Sequence, residues 1–344
     1  MDAFQEVAVS FPWFYPLFVA VVGACVGSFL NVCIYRIPKE ESVISPPSHC
    51  GCGKRIAWHD NIPVLSWLLL RGRCANCKTG ISIQYPLVEL ASAVMSAVCV
   101  WRFGWSPQLA AALLFSWTLI ALTVIDLRET ILPDDLTLPL MWIGLALSTV
   151  GVFVAMSASI WGAIAGYLSL WSIYHLFRIV TGKHGMGYGD FKLMAGLGAW
   201  FGAAALPILL LLSSAVGAVI GLGLIVFRGH DRNVPIPFGP YIAGAGWLLG
   251  LIASIRWPVL LVVLAIIALL TGLGLSAYKT QLAKAESIDA INKLKGMYAG
   301  LASYLVDKSS WPQEPEDDSE DSDEALWVWW KKEMEPYGIH EADW

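Results

Sequence analysis

From Leu193 to Phe227 the chain carries no charged side chain. A soluble fold of this size needs polar residues to cover its outside, and between Pro107 and Phe227 there are too few to do so. The whole sequence follows the same rule, with 57% hydrophobic and only 14% charged residues. The solvent of most of this protein is therefore lipid, and the chain reads as an all-α polytopic membrane protein.

Nine apolar stretches are candidate spans: Pro12–Tyr35, Pro86–Phe103, Pro107–Ile125, Leu136–Met156, Ile160–Val180, Leu193–Ala204, Ala205–Phe227, Phe238–Ile255 and Trp257–Ala277. Each approaches the roughly 20 residues that a helix needs to cross about 30 Å of hydrocarbon, although the sixth is short. Pro207 marks the break between the sixth and seventh. The expected architecture is a bundle of eight or nine transmembrane helices with one small loop domain.

If the spans alternate, Arg36, Lys39, Lys54, Arg55, Arg71, Arg73, Lys78, Arg128, Lys183, Lys192, Arg228 and Arg232 all fall on one side, and only Arg102 and Arg256 on the other. The positive-inside rule makes the populated side cytoplasmic and the N-terminus external. The first span lacks a basic flank and a small-residue cleavage site, so it reads as retained. The net charge of -5 is a poor guide, because acids crowd into Glu314–Glu324; no nucleic-acid footprint is visible.

This topology puts two acids at the same depth. Asp126, in "TVIDLRETILPDDLTLPL", lies at the inner end of the third span, and Asp190, in "GMGYGD", at the inner end of the sixth. Acids at membrane helix ends tend to face protein or water and mark functional sites. Each also has an ordinary account: Asp190 as a helix cap pairing with Lys192, and Asp126 as a partner of Arg128. Gly187 and Gly189 favour the functional reading, since glycines there permit close approach of an extended substrate. Two acids held close would share a proton, one acting as base toward a water and the other as donor to the leaving group. No "GxSxG" motif competes, and His175 reads as a packed residue.

The largest loop, residues 36–85, holds "HCGCGKRIAWHDNIPVLSWLLLRGRCANC". Cys74 and Cys77 have zinc-knuckle spacing, and with Cys50 and Cys52 they make four thiolates for a tetrahedral structural zinc site. The single residue between Cys50 and Cys52 leaves His49 as an alternative ligand to Cys50. Cys25, Cys33 and Cys99 read as small packed residues.

Taken in order, "GSFLNVCIYRIP", the paired cysteines, "YPLVEL", "DLRETILPDDLTLPL", "GMGYGDFKLMAGLGAW" and "PIPFGPYIAGAGW" resemble the bacterial prepilin peptidases, or type IV leader peptidases, which are membrane aspartic proteases named for a Gly-x-Gly-Asp motif. The resemblance covers about the first three quarters of the chain. It implies that Asp126 and Asp190 are the catalytic aspartates and that the cysteines form a zinc-binding loop. It further implies cleavage of the basic leader from type IV prepilins or type II secretion pseudopilins at the cytoplasmic face of the bacterial inner membrane. Many members also N-methylate the new amino terminus with S-adenosylmethionine. Glu89 matches a family position and otherwise reads as a helix-start acid; Asp134 and Asp135 read as caps of the fourth span.

The organisation expected is a first transmembrane helix (1–35), a cytoplasmic cysteine-bearing domain (36–85), a membrane-embedded peptidase core (86–256), an added helix with a pilin-like amphipathic extension (257–306) and a disordered acidic tail (307–344). Where a processed pilin would have Gly, Phe and Glu, the extension has Ser254, Ile255 and Val259, so self-cleavage is not expected. Tryptophans clustered in Ala325–Gly338 make the tail a candidate docking element for pilus or secretion assembly proteins. Two other classes compete. A transporter using the acids for protons or cations predicts inverted repeats and midplane acids, neither of which is seen. A catalytically silent assembly scaffold would tolerate Asp-to-Asn changes.

Overall fold

The computed structural model describes residues 13–50, 52–182, 185–228, 237–252, 293–305, 307–308, 332 and 334–337. The chain divides into two compact units, Met1–Ser276 and Ala277–Trp344. The described part of the first is helical: α1 (Phe14–Arg36), α2 (Leu65–Leu69), α3 (Gln84–Phe103), α4 (Pro107–Glu129), α5 (Asp134–Thr149), α6 (Met156–Thr181), α7 (Tyr188–Phe201), α8 (Leu206–Arg228) and α9 (Gly239–Ile252). Five segments are long and apolar enough to cross a membrane: Phe14–Lys39, Gln84–Phe103, Pro107–Glu129, Met156–Thr181 and Ala203–Gly221.

Two of the remaining helices end earlier than their hydropathy suggests. The fourth apolar stretch stops being helical at Thr149, where Gly151 takes a positive φ of 66° and the apolar residues after it form a turn. The sixth ends at Phe201, where Gly202 (φ 79°) reverses the chain before Pro207 enters the first turn of α8. α4 opens with Pro107 at its first position and ends on Thr130 in the left-handed region, whose N–H returns to the Asp126 carbonyl at 2.9 Å.

Small residues bring the backbones together, as lipid-embedded bundles require. At the crossing of α6 and α7, a Cβ added to Gly162 would collide with the Gly198 carbonyl, and the reverse also holds. The Ser159 hydroxyl donates to the Ala199 carbonyl at 2.6 Å across the same contact. Gly27 of α1 is similarly tight, a Cβ there falling 2.7 Å from the Glu89 Cα. α7 is largely buried in the bundle. Its Trp200 is buried against Phe115 at 4.7 Å between ring centres and donates its indole N–H to the Leu140 carbonyl at 2.8 Å.

In the second unit, residues 293–305 are helical, and Tyr304 and Met334 are buried together against Met297, Leu301 and Tyr337. Tyr337 donates its phenol to Asp307 at 2.6 Å. The proposed ninth span Trp257–Ala277, the pilin-like positions Ser254, Ile255 and Val259, the acidic run Glu314–Glu324 and most of the tryptophan motif lie outside the described residues.

Candidate active site

Asp126 sits in the last turn of α4 and Asp190 in the first turn of α7, with 5% and 7% of their surfaces exposed. Each carboxylate is gripped on its Oδ2 by a glycine N–H. Gly239, the first residue of α9, donates to Asp126 at 2.9 Å, and Gly187, just before α7, donates to Asp190 at 3.3 Å. Both donors are amides that a helix start leaves without an intrahelical partner. One oxygen of each acid is thus fixed by backbone.

Leu132, in the turn between α4 and α5, joins the two halves. A Cβ on Gly189 would lie 2.6 Å from the Leu132 Cβ, and one on Gly239 would lie 3.1 Å from Leu132 Cδ2 and 2.7 Å from Asp126 Oδ2. The residue before Asp190 and the residue bonded to Asp126 therefore press on the same leucine. The two acids are close enough to interact electrostatically, and Tyr241 of α9 also feels the charge of Asp126.

The cations expected to neutralise these acids are engaged elsewhere. Lys192 reaches Asp134 at 2.5 Å, and Arg128 pairs with Glu129 at 3.7 Å. Asp134 and Asp135 lie in the first turn of α5, where their charge suits the helix start. The glycines divide in role. Gly189 makes room for Leu132 and cannot take a side chain, whereas a Cβ on Gly187 would meet nothing nearer than Asp190 Oδ2 at 3.8 Å. His175 packs on Trp171 and Tyr174, with ring centres 4.3 and 5.1 Å away.

Sequence reasoning gave no role to Gly239, Leu132 or Tyr241. The available signal was a glycine–proline pair directly before an apolar stretch, which marks a helix start but not the acid it faces.

The loop brings Cys50, Cys52, Cys74 and Cys77 together, with all four sulfurs within 4.8 Å of one another. Two tight turns do this. Gly53 N–H bonds the Cys50 carbonyl at 2.8 Å, and Lys78 N–H bonds the Cys74 carbonyl at 3.1 Å. Short antiparallel bridges, His49 with Arg55 and Arg73 with Gly80, close each turn. His49 stands outside the cluster, its ring nitrogen 3.2 Å from the Pro47 carbonyl. The Thr79 hydroxyl and amide pull the Cys77 thiol down to about 6. A tetrahedral zinc with bonds of about 2.3 Å sets its sulfurs roughly 3.8 Å apart, so the donor set fits that ion. Cys33 and Cys99 are buried as expected of packed residues, but Cys25 is exposed on α1.

Comparison with known proteins gives concordant matches. A profile of the bacterial peptidase A24 N-terminal domain matches residues 21–103, and one of the type IV leader peptidase family matches residues 113–222. The prepilin leader peptidase/N-methyltransferase of Aeromonas hydrophila is 49% identical over 275 residues, which cover 72% of this chain and 94% of that protein. The protein of the same name from Pseudomonas aeruginosa is 44% identical over 263 residues, covering 70% and 91%. That from Dichelobacter nodosus is 44% identical over 259 residues, covering 67% and 89%. No solved structure matches the chain.

Proposed function

Since the chain belongs to the type IV leader peptidase family, we propose that it removes the basic leader of type IV prepilins or type II secretion pseudopilins by hydrolysis between Asp126 and Asp190, and then methylates the new amino terminus. The observation that carries this reading is the convergence of two buried carboxylates, each fixed by a glycine N–H, on either side of Leu132.

The pair holds one proton between two acids. The ionised member takes a proton from water as the water oxygen adds to the scissile carbonyl. The protonated member hydrogen-bonds the carbonyl oxygen and gives its proton to the leaving amine, which returns the pair to a singly protonated state. Holding both acids on helix ends keeps the attacking geometry without reorganisation. Gly187, open on its Cβ side, lets the substrate backbone pass beside Asp190.

The orientation follows from the basic loops: the inner membrane is crossed several times, with the acid pair at the cytoplasmic face. A basic leader then stays in water and an apolar mature helix in lipid, and the bond between them arrives at the acids. Cys50, Cys52, Cys74 and Cys77 would hold a structural zinc, which when bound cross-links the two turns of the loop. S-adenosylmethionine is the second substrate and supplies the methyl group. The bundle proposed has eight spans, with the ninth as an addition.

The deciding experiment incubates the purified full chain with a prepilin and S-adenosylmethionine and reads intact mass. Leader loss followed by a single methyl gain is expected. Leader loss at the unaltered rate by either the Asp126→Asn or the Asp190→Asn protein would rule out the acid pair.

A further inference from the structure

Helix α2 belongs to neither the acid pair nor the cysteine cluster, and its surface is unusual for a loop. Leu65 and Leu68 are each 57% exposed and Leu69 82%, while Trp58 nearby is also 82% exposed. The opposite side of the helix is satisfied by protein. The Ser66 hydroxyl bonds the Ile62 carbonyl at 2.6 Å, and Trp67 lies over Gly72 and donates to the Ile81 carbonyl at 3.1 Å.

What decides the partner is where α2 is tied. Val64, just before it, has φ 61° and ψ -48°, with Leu65 N–H bonded to the Pro63 carbonyl at 2.6 Å, a γ-turn that a β-branched residue adopts only when its surroundings hold it. The hold comes from Glu89, a buried carboxylate that accepts the Val64 N–H at 2.7 Å. Glu89 lies five residues into α3, which is about 7 Å along a membrane-spanning helix. A second tie, Ile81 N–H to the Gly72 carbonyl at 2.7 Å, fixes the far end of α2 beside the entry of α3. The exposed leucines thus stand at the depth where α3 enters the bilayer. Arg71 and Arg73 follow directly, both exposed.

We propose that α2 lies in the bilayer leaflet on the loop's side, with Leu65, Leu68 and Leu69 among the acyl chains and Arg71 and Arg73 on anionic headgroups. A helix of this length anchors weakly alone, but the flanking spans already hold it at the surface, so its insertion is intramolecular. The anchor fixes the cysteine-bearing segment flat on the membrane. This assignment rests on the span α3 and on the cytoplasmic orientation, not on the hydrolytic reading, which survives if the anchor fails.

The test uses the unaltered chain in vesicles of phosphatidylethanolamine and phosphatidylglycerol doped with a photoreactive phospholipid whose acyl chain carries a diazirine. Mass mapping is expected to find lipid adducts on 65–69 at a yield comparable to those on Leu168 and Leu176 of α6, and several-fold above those on 74–80. Replacing phosphatidylglycerol by phosphatidylcholine is expected to lower the yield at 65–69 several-fold and leave α6 unchanged. Adducts on α6 with none on 65–69 would overturn the proposal. A yield indifferent to phosphatidylglycerol would overturn the arginine contacts.

Discussion

The acid pair and the cysteine cluster are both built from two segments far apart in sequence, yet they are held in opposite ways. Asp126 and Asp190 are buried, and the backbone of α7 and α9 fixes each one; the packing of Leu132 against two glycines sets the approach of the segments. The four cysteines lie at or near the surface, and beyond local turns the two knuckles are joined by exposed contacts such as Lys54 Nζ donating to Asn76 Oδ1 at 3.0 Å. The first site is pre-formed by the fold, whereas the second is a donor set that a metal ion would complete. Perturbing chemistry and perturbing structure should therefore separate cleanly between them.

The largest effect is expected at the acids. Asp126→Asn or Asp190→Asn removes the group that moves the proton while keeping size and glycine contacts, so cleavage should fall by about 10^2–10^4-fold, with the helical spectrum and thermal transition unchanged. Leader removal measured by intact mass, alongside circular dichroism in detergent, reads both. Equal loss of folding would show that the burial of these acids, not their chemistry, governs the result.

Removing zinc should act on the other side of the comparison. A chelator, or Cys74→Ser, takes away a ligand of the folded loop; at zinc one hundred times its Kd, loop opening rises by about a hundredfold. Limited proteolysis should then cut within 36–85 while α4 and α7 stay intact. Uniform digestion of the whole chain would mean that the cluster supports the bundle and that the two sites are not separable.

How much of this was legible differs between the sites for the same reason. Hydropathy located the apolar helices, because lipid burial leaves a long apolar signal, and it gave the expectation that Asp126 and Asp190 share one depth. It misjudged the ends of α5 and α7, since apolar residues after Thr149 and Phe201 belong to turns forced by Gly151 and Gly202. It carried no information about Gly239, which meets Asp126 across 113 residues. Depth is written in composition, but lateral neighbours are not. In the loop, spacing favoured Cys50 as a ligand but left His49 as an alternative. The turn closed by Gly53 N–H on the Cys50 carbonyl determines that Cys50 faces Cys77 at 3.5 Å.

Gly239→Ala tests the lateral contact directly. The added Cβ would stand 2.7 Å from Asp126 Oδ2, closer than real contacts allow, and 3.1 Å from Leu132. The carboxylate must yield, and a displacement of about 1 Å in a reacting group can cost about 10^2-fold. A loss of about 10–10^2-fold in kcat with little change in KM is expected from initial rates on a prepilin peptide. The same substitution should leave zinc content, read by metal analysis, unaltered. A KM effect alone would move Gly239 from holding the acid to admitting the substrate.

The smallest effect belongs to the ion pair that borders the acids without joining them. Lys192 lies two residues after Asp190 and bridges to Asp134, which links the first turns of α7 and α5. Those helices are already locked further along by Trp200 on the Leu140 carbonyl, and the pair is partly exposed, with 28% and 54% of the two side chains open. An exposed pair contributes about 1 kcal/mol or less, so Lys192→Met should reduce cleavage no more than about fivefold. Exchanging the partners, Lys192→Asp with Asp134→Lys, should recover most of that loss if the bridge matters as a bridge. A loss from Lys192→Met as deep as that from Asp190→Asn, unrecovered by the exchange, would place the ammonium among the reacting groups and dissolve the line between a backbone-held acid pair and its surroundings.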